Sequence, residues 1–365
     1  MTRSRKFIIS GGGTGGHIFP AIAIANELKL RFPDAQILFV GARGKMEMEK
    51  VPQAGYAIEG LWISGLQRRL TLKNLLFPLK VISSLWKAGS IIRRFRPDAV
   101  VGSGGFASGP VLRVAAGKGI PSLILEQNSY PGITNKLLAG KVDKICVAYP
   151  GMEKFFPKDK IILTGNPIRT DILDLKGKKP EGSVFFGTDP SLKTVLFIGG
   201  SLGAGTINET VQSLLDFFRE SGIQVIWQTG KSYIEKAREA GKGFDTIKIF
   251  DFIHRMDLAY ACADIIVSRA GAIAISELCA VGKPAILIPS PFVAEDHQTK
   301  NAKVLAENKA AILVRDQDAK TMLKDVLQQV CSDVSVQQRL SHNIEKLAIR
   351  DAASRIADEI IHLIH

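Results

Sequence analysis

Three glycine-rich segments, each set between a short apolar run and a stretch of helical periodicity, constrain this chain more than any other feature. The first is Gly11-Gly12-Gly13-Thr14-Gly15-Gly16-His17, after Phe7 to Ser10. The second runs from Gly102 to Pro110 as GSGGFASGP, after Ala99-Val100-Val101, and the third from Gly199 to Gly205 as GGSLGAG, after Thr194 to Ile198. Glycine admits positive φ and close backbone approach, and a strand that turns through such a loop into a helix opens a βαβ unit. Apolar runs bounded by turn residues place further strands at Gln36 to Val40, Ser122 to Glu126, Lys144 to Ala148, Gln224 to Gln228, Lys248 to Phe250, Ile265 to Ser268 and Ala285 to Pro289. With Lys6 to Ser10, Ala99 to Gly102 and Thr194 to Ile198 they form two similar series. The pattern predicts an α/β protein of two Rossmann-like, doubly wound parallel-sheet domains. The 365 residues suffice for both cores.

The turn-rich segment Thr164-Gly165-Asn166-Pro167-Ile168-Arg169 divides the chain into domains at 1–166 and 167–345. A last helix, about 346–365, packs either on its own domain or back on the first, and periodicity does not decide between them. Residues 1–166 carry 24 Lys+Arg against 10 Asp+Glu, whereas the remainder carries 24 against 25. The whole net charge of +13 therefore belongs to the first half, which points to an anionic partner: nucleic acid, membrane or a phosphorylated substrate. No helix-turn-helix or aromatic RNA-binding strand occurs there, which argues against nucleic acid. No apolar run reaches the length of a membrane span, and the start MTRSRKFIIS has too short an apolar core for a signal peptide. The four cysteines are scattered without a CxxC pair, so they read as reduced residues rather than zinc ligands.

Glycine loops at strand-to-helix turns suit phosphate, because backbone N–H groups and the helix N-terminus converge there. A cleft between the domains is the simplest common destination for all three. Gly11, Gly13 and Gly16 also satisfy GxGxxG, which raises a dehydrogenase as the alternative. The second strand, however, ends Val40-Gly41-Ala42-Arg43 without the acidic residue that holds a ribose, so only an NADP-dependent oxidoreductase remains open on that reading.

The motifs GGGTGGHIFPA at Gly11 to Ala21, GSGGFASGP at Gly102 to Pro110, EQN at Glu126 to Asn128, TGNPIRTDI at Thr164 to Ile172, GGSLGA at Gly199 to Ala204 and SRAGAIAISE at Ser268 to Glu277 resemble, in order, those of the MurG family. The chain departs from many members at Leu125 and Phe106, where they carry His and Tyr. The resemblance implies a GT-B fold of two domains facing a cleft, with the acceptor and membrane on the N-terminal side and the donor nucleotide on the C-terminal side. It implies inverting transfer of N-acetylglucosamine from UDP-N-acetylglucosamine to the C4 hydroxyl of MurNAc in undecaprenyl-pyrophosphoryl-MurNAc-pentapeptide. Lipid I becomes lipid II, with no cofactor and no obligatory metal. The implied location is peripheral, on the cytoplasmic face of the bacterial inner membrane, in the company of other cell-wall synthesis proteins.

Such a reaction needs a base for the acceptor hydroxyl and a cradle for the departing diphosphate. His17 and Glu126 are the two candidate bases. The resemblance assigns the donor to Thr14, Gly15, Gly16, Asn128, Arg169, Ser201, Ile253, Gly271, Ala272, Ile273, Glu277 and Gln298, with Glu277 on the ribose, Arg169 near the phosphates and the backbone of Ile253 at uracil. Gly104 and Gly105 are assigned to the acceptor. The stretch from Leu66 to Lys87, which includes Leu75, Phe77, Leu79 and Trp86 among five cations and no acid, suits the surface of an anionic membrane.

Overall fold

The computed structural model describes residues 4–65, 76–200 and 203–365. They form two compact units, Met1–Ile168 with Arg350–His365, and Arg169–Ile349. The first unit holds strands β1 (Lys6–Gly11), β2 (Gln36–Ala42), β3 (Ala57–Leu61), β4 (Ala99–Gly104), β5 (Ser122–Glu126), β6 (Lys144–Val147) and β7 (Ile161–Leu163). They pair in the order β3-β2-β1-β4-β5-β6-β7, all parallel. Helices α1 (Gly15–Arg31), α2 (Glu47–Gln53), α3 (Phe77–Phe95), α4 (Ser108–Gly117) and α5 (Ile133–Leu138) connect them.

Successive strand residues point to opposite faces, and both faces are covered. Ile8 joins Leu38, Val40, Val100 and Ile124 in one buried layer. Phe7 and Ile9 join Phe39, Val101 and Leu123 in the other. This is why the strands read as continuous apolar runs rather than as alternation.

The second unit holds β8 (Thr194–Ile198), β9 (Gln224–Gln228), β10 (Ile247–Phe250), β11 (Ile265–Ser268), β12 (Ala285–Leu287) and β13 (Ile312–Leu313), paired in the order β10-β9-β8-β11-β12-β13. Its helices are α6 (Lys179–Phe186), α7 (Gly205–Ser213), α8 (Leu215–Glu220), α9 (Ile234–Ala240), α10 (Met256–Cys262), α11 (Ala272–Val281), α12 (His297–Glu307), α13 (Ala319–Ser332) and α14 (Val334–Glu345). Phe197, Phe218 and Trp227 anchor a core that extends to Leu323, Leu327 and Leu340. Trp227 Nε1 donates to Asn208 Oδ1 at 2.9 Å, which satisfies the indole inside that core.

The last helix, α15 (Ala352–Leu363), belongs to the first unit, which decides the alternative left open by periodicity. Ile356, Ala357 and Ile360 enter the Phe7/Ile9 layer. Arg31 of α1 pairs with Asp358 and donates to Ser354 Oγ at 2.7 Å.

Strand order reverses between β1 and β4 in one sheet and between β8 and β11 in the other. At such switch points the connections leave in opposite directions and open a crevice at the carboxyl edge of the sheet. The glycine motifs that begin at Gly11 and Gly102 start within the ends of β1 and β4, and those at Gly199 and Gly271 follow β8 and β11, so each unit places two of them at its own switch point.

Candidate active site

In the first unit the loops after β1 and β4 lie against each other. Gly105 has φ +83°, and a Cβ there would fall 2.3 Å from the carbonyl oxygen of Gly12. Gly104 has φ +100°, and its Cβ would fall 2.6 Å from His17 Nδ1. Both glycines are therefore required by left-handed backbone and by space. The absent Gly104 side chain makes room for the imidazole.

His17 lies in the first turn of α1, and its ring is fixed by β4. Nδ1 is 2.9 Å from the carbonyl oxygen of Ser103, while Ser103 Oγ donates back to the His17 carbonyl at 2.8 Å. A carbonyl oxygen only accepts, so Nδ1 carries the proton and, in the neutral ring, Nε2 is the acceptor nitrogen. Gly15 and Gly16 open the same helix, and their amides belong to a first turn that has no acceptor within the helix. Thr14 precedes them at the cap position in extended backbone.

One residue outside the glycine motifs organises this loop. Glu47, fully buried at the head of α2, accepts from the Gly13 amide at 3.0 Å and from the Ala42 amide at 2.9 Å. The Gly13 amide is thereby committed to a carboxylate rather than to a phosphate. Nothing in KMEMEK singles out Glu47 from Glu49 for this role.

Glu126, at the end of β5, is 2% exposed. One carboxylate oxygen accepts from the Asn128 amide at 3.0 Å and from Asn128 Nδ2 at 3.3 Å. The other accepts from the Gly132 amide at 3.0 Å and from Asn135 Nδ2 at 2.9 Å. Burial pushes the carboxyl above its ordinary range while these donors pull it back. The geometry is that of a clamp closing the turn from Glu126 to Asn135. Asn128 belongs to that clamp.

In the second unit Glu277, on α11, is 9% exposed. Arg169 Nε donates to its Oε1 at 3.1 Å, and the Tyr260 hydroxyl donates to its Oε2 at 3.0 Å. Burial raises the Glu277 carboxyl, against the lowering effect of Arg169, and burial together with the Glu277 charge raises the Tyr260 phenol. Arg169, expected near phosphates, thus has its Nε on the carboxylate expected at the ribose. Tyr260 gave no motif signal, being one apolar-looking residue in DLAYAC.

Gly271 caps α11 in extended backbone with no side-chain cap, so the first-turn amides of Ala272 and Ile273 lack helix acceptors. Gln228, at the end of β9, accepts from the Ile253 amide at 3.0 Å and donates to the Gly200 carbonyl at 3.1 Å. The Ile253 N–H is thereby engaged within the unit, so the backbone group it could still offer a base is its carbonyl. Gln298, near the start of α12, accepts from the Ser290 amide at 2.8 Å, which turns its carbonyl oxygen inward. Ser201 lies outside the described residues.

Residues 7–147 match the N-terminal domain model of glycosyltransferase family 28, and residues 194–356 match the C-terminal domain model of the same family. The chain is 55% identical over 359 residues to a UDP-N-acetylglucosamine--N-acetylmuramyl-(pentapeptide) pyrophosphoryl-undecaprenol N-acetylglucosamine transferase of Flavobacterium psychrophilum, covering 98% of each. It is likewise 55% identical to the transferase of that name from Parabacteroides distasonis, covering 99% of each. The chain belongs to the MurG family of glycosyltransferases. The crystal structure of Acinetobacter baumannii MurG superposes with a TM-score of 0.79 at 27% identity, over 98% of this chain and 99% of that one. The two parallel-sheet units are those of the GT-B fold shared by MurG structures.

Membership of the MurG family removes support for the oxidoreductase alternative, and Arg43, which that reading needed for a 2′-phosphate, instead donates Nε to the Gly60 carbonyl at 3.1 Å. Among the residues assigned to the membrane, Leu75 lies outside the described residues. Phe77 opens α3 and is half-buried, whereas Leu79 is 56% and Trp86 80% exposed. Leu76 and Ile82 are exposed on the same face. Lys80 lies 5.8 Å over the Trp62 ring and donates to Ser64 Oγ at 3.0 Å. Among the described residues, no helix is long and apolar enough to cross a membrane.

Proposed function

We propose that this chain transfers N-acetylglucosamine from UDP-N-acetylglucosamine to the C4 hydroxyl of MurNAc in undecaprenyl-pyrophosphoryl-MurNAc-pentapeptide, with inversion, and that His17 is the base. Its relationship to full-length transferases named for this reaction carries the substrates. The fixed tautomer of His17 carries the mechanism. With Nδ1–H held on Ser103, Nε2 accepts the proton of the acceptor hydroxyl as its oxygen bonds to C1 of the sugar. The C1–O bond to the diphosphate breaks, and UDP departs. Glu126, with both oxygens occupied, shapes the turn that carries Asn128 and is not the base.

The second unit serves the donor. The uncapped first turn of α11 offers the amides of Ala272 and Ile273 to the diphosphate, where the helix dipole favours negative charge. Each carboxylate oxygen of Glu277 keeps a further lone pair beyond its bond to Arg169 or Tyr260, so the carboxylate takes ribose hydroxyls in an orientation those two residues fix. The Ile253 carbonyl is an acceptor for the uracil N3–H. The Gln298 amide nitrogen, directed away from Ser290, meets sugar hydroxyls.

The apolar face of α3, with Leu76, Leu79, Ile82 and Trp86 beside Lys80 and Lys87, rests on the anionic cytoplasmic leaflet that holds the lipid-linked acceptor. Transfer of radiolabelled N-acetylglucosamine to a short-chain lipid I analogue tests the activity, and no product would overturn it. His17→Ala tests the base. Turnover at saturating substrates should fall between about 100- and 10,000-fold, and near-normal turnover would remove His17 from that role.

A further inference from the structure

We infer that Gln127 is a positioning residue for His17: its amide nitrogen shares the Ser103 carbonyl with the imidazole, and its buried carbonyl oxygen stabilises the imidazolium formed during transfer. The inference rests on His17 being the base. Gln127 is 1% exposed between β5 and the turn that follows it. Its Nε2 donates to the carbonyl oxygen of Ser103, the same atom that accepts from His17 Nδ1. Only nitrogen can face that carbonyl, so the assignment of the two amide atoms follows from chemistry.

The other end of the amide is the telling feature. Among the described residues no donor reaches Gln127 Oε1, although it is buried. A buried acceptor left without a donor costs stability and is retained where it serves something else. The position a Gly104 Cβ would take is 3.4 Å from Gln127 Oε1 and 2.6 and 2.7 Å from His17 Nδ1 and Cε1. The carbonyl and the imidazole therefore border one small space that only glycine leaves open. The Gln127 dipole has its negative end on that space. Before transfer the oxygen has no donor among the described residues. Once Nε2 takes the hydroxyl proton, positive charge spreads over Nδ1, Cε1 and Nε2, and a fixed dipole beside it lowers the barrier without reorganising.

The charged groups on the elements packed around the first turn of α1 have other partners. Glu47 of α2 holds the Gly13 and Ala42 amides, and Glu126 of β5 holds its turn. On α15, Asp358 pairs with Arg31 at the far end of α1. None of them duplicates the Gln127 contact with Ser103.

The test is an NMR titration of the His17 ring in the full-length protein, with its signal assigned by loss in His17→Ala, alongside the pH profile of kcat. Gln127→Leu removes the dipole, so the midpoint of His17 should move to lower pH and kcat should fall roughly tenfold, the scale of outer partners on a functional imidazole. Gln127→Glu places a carboxylate there and should move the midpoint to higher pH, each shift about half a unit or more. The KM for UDP-N-acetylglucosamine should stay the same in both. If the leucine variant does not fold, as judged by its melting curve, the glutamate variant decides alone. Unmoved midpoints with an inactive His17→Ala would overturn the role of Gln127 and leave the base intact. An active His17→Ala would instead remove the base on which it depends.

Discussion

Glu277 meets Arg169 on one oxygen and Tyr260 on the other, so its removal acts on binding and on stability together. Glu277→Ala takes away the proposed ribose acceptor and leaves the buried Tyr260 hydroxyl without its partner. The expected result is at least a tenfold rise in the Kd for UDP-N-acetylglucosamine by calorimetry. A stability loss of about 1–3 kcal/mol should accompany it, the usual cost of a stranded buried polar group. Tyr260→Phe separates the two effects: it should reproduce part of the stability loss while the Kd stays within about threefold, since a hydrogen bond contributes only about 1 kcal/mol. Equal weakening of donor binding in both variants would show that Tyr260 touches the ligand itself.

At the scale of elements, α15 completes a layer far from it in sequence. Ile356 and Ile360 are fully buried against Phe7 and Ile9, so Ile360→Ala should destabilise the protein by about 2–5 kcal/mol in denaturant titration. Ile364, only partly buried at the edge of the same layer, should cost much less on the same change.

Asp257 fastens α10 to the entry of α6: it accepts from Arg255 Nε at 2.9 Å and from Lys178 Nζ at 3.2 Å. The hydrogen bond from Arg255, assisted by Lys178, holds its carboxyl well below the usual range, against the effect of burial. A depressed carboxylate contributes stability that is present above the unfolded value, about 3.9, and lost as pH falls towards the folded one. Asp257→Asn should therefore lower the melting temperature at pH 7, and the gap to the unaltered protein should close between about pH 4 and 2. A gap that persists undiminished at low pH would place the effect in shape rather than charge.

On the scale of the whole molecule, all of the excess positive charge lies in residues 1–166, and the first unit also presents Leu79, Ile82 and Trp86 on one helix face. Replacing Leu79 and Trp86 by Ser should reduce partition onto anionic vesicles by at least tenfold, since each large apolar side chain contributes about 1.5–3 kcal/mol when buried. Transfer to a water-soluble acceptor analogue should be unchanged. Raising salt should weaken the binding of both proteins, because exposed cations are screened within about 10 Å at 0.1 M. Unaltered partition would move the membrane contact off α3.

The ten strands that periodicity places all occur, and the central ones are covered on both faces and carry apolar side chains almost throughout. The strands it misses, β3, β7 and β13, are each at a sheet edge; β7 and β13 are short, and β3 is interrupted by Glu59 and Gly60. Half-covered backbone demands less of its sequence. The glycine motifs were legible for a related reason: only glycine satisfies the φ of Gly104 and Gly105 and the contacts their Cβ atoms would make. What sequence left open was partnership. Where α15 packs, and that Ser103 meets His17, Glu47 meets Gly13 and Tyr260 meets Glu277, depend on groups far apart in the chain coming together. Local periodicity reports burial and turns, whereas a Ser103 carbonyl that accepts from both His17 and Gln127 exists only once β1, β4 and β5 lie side by side.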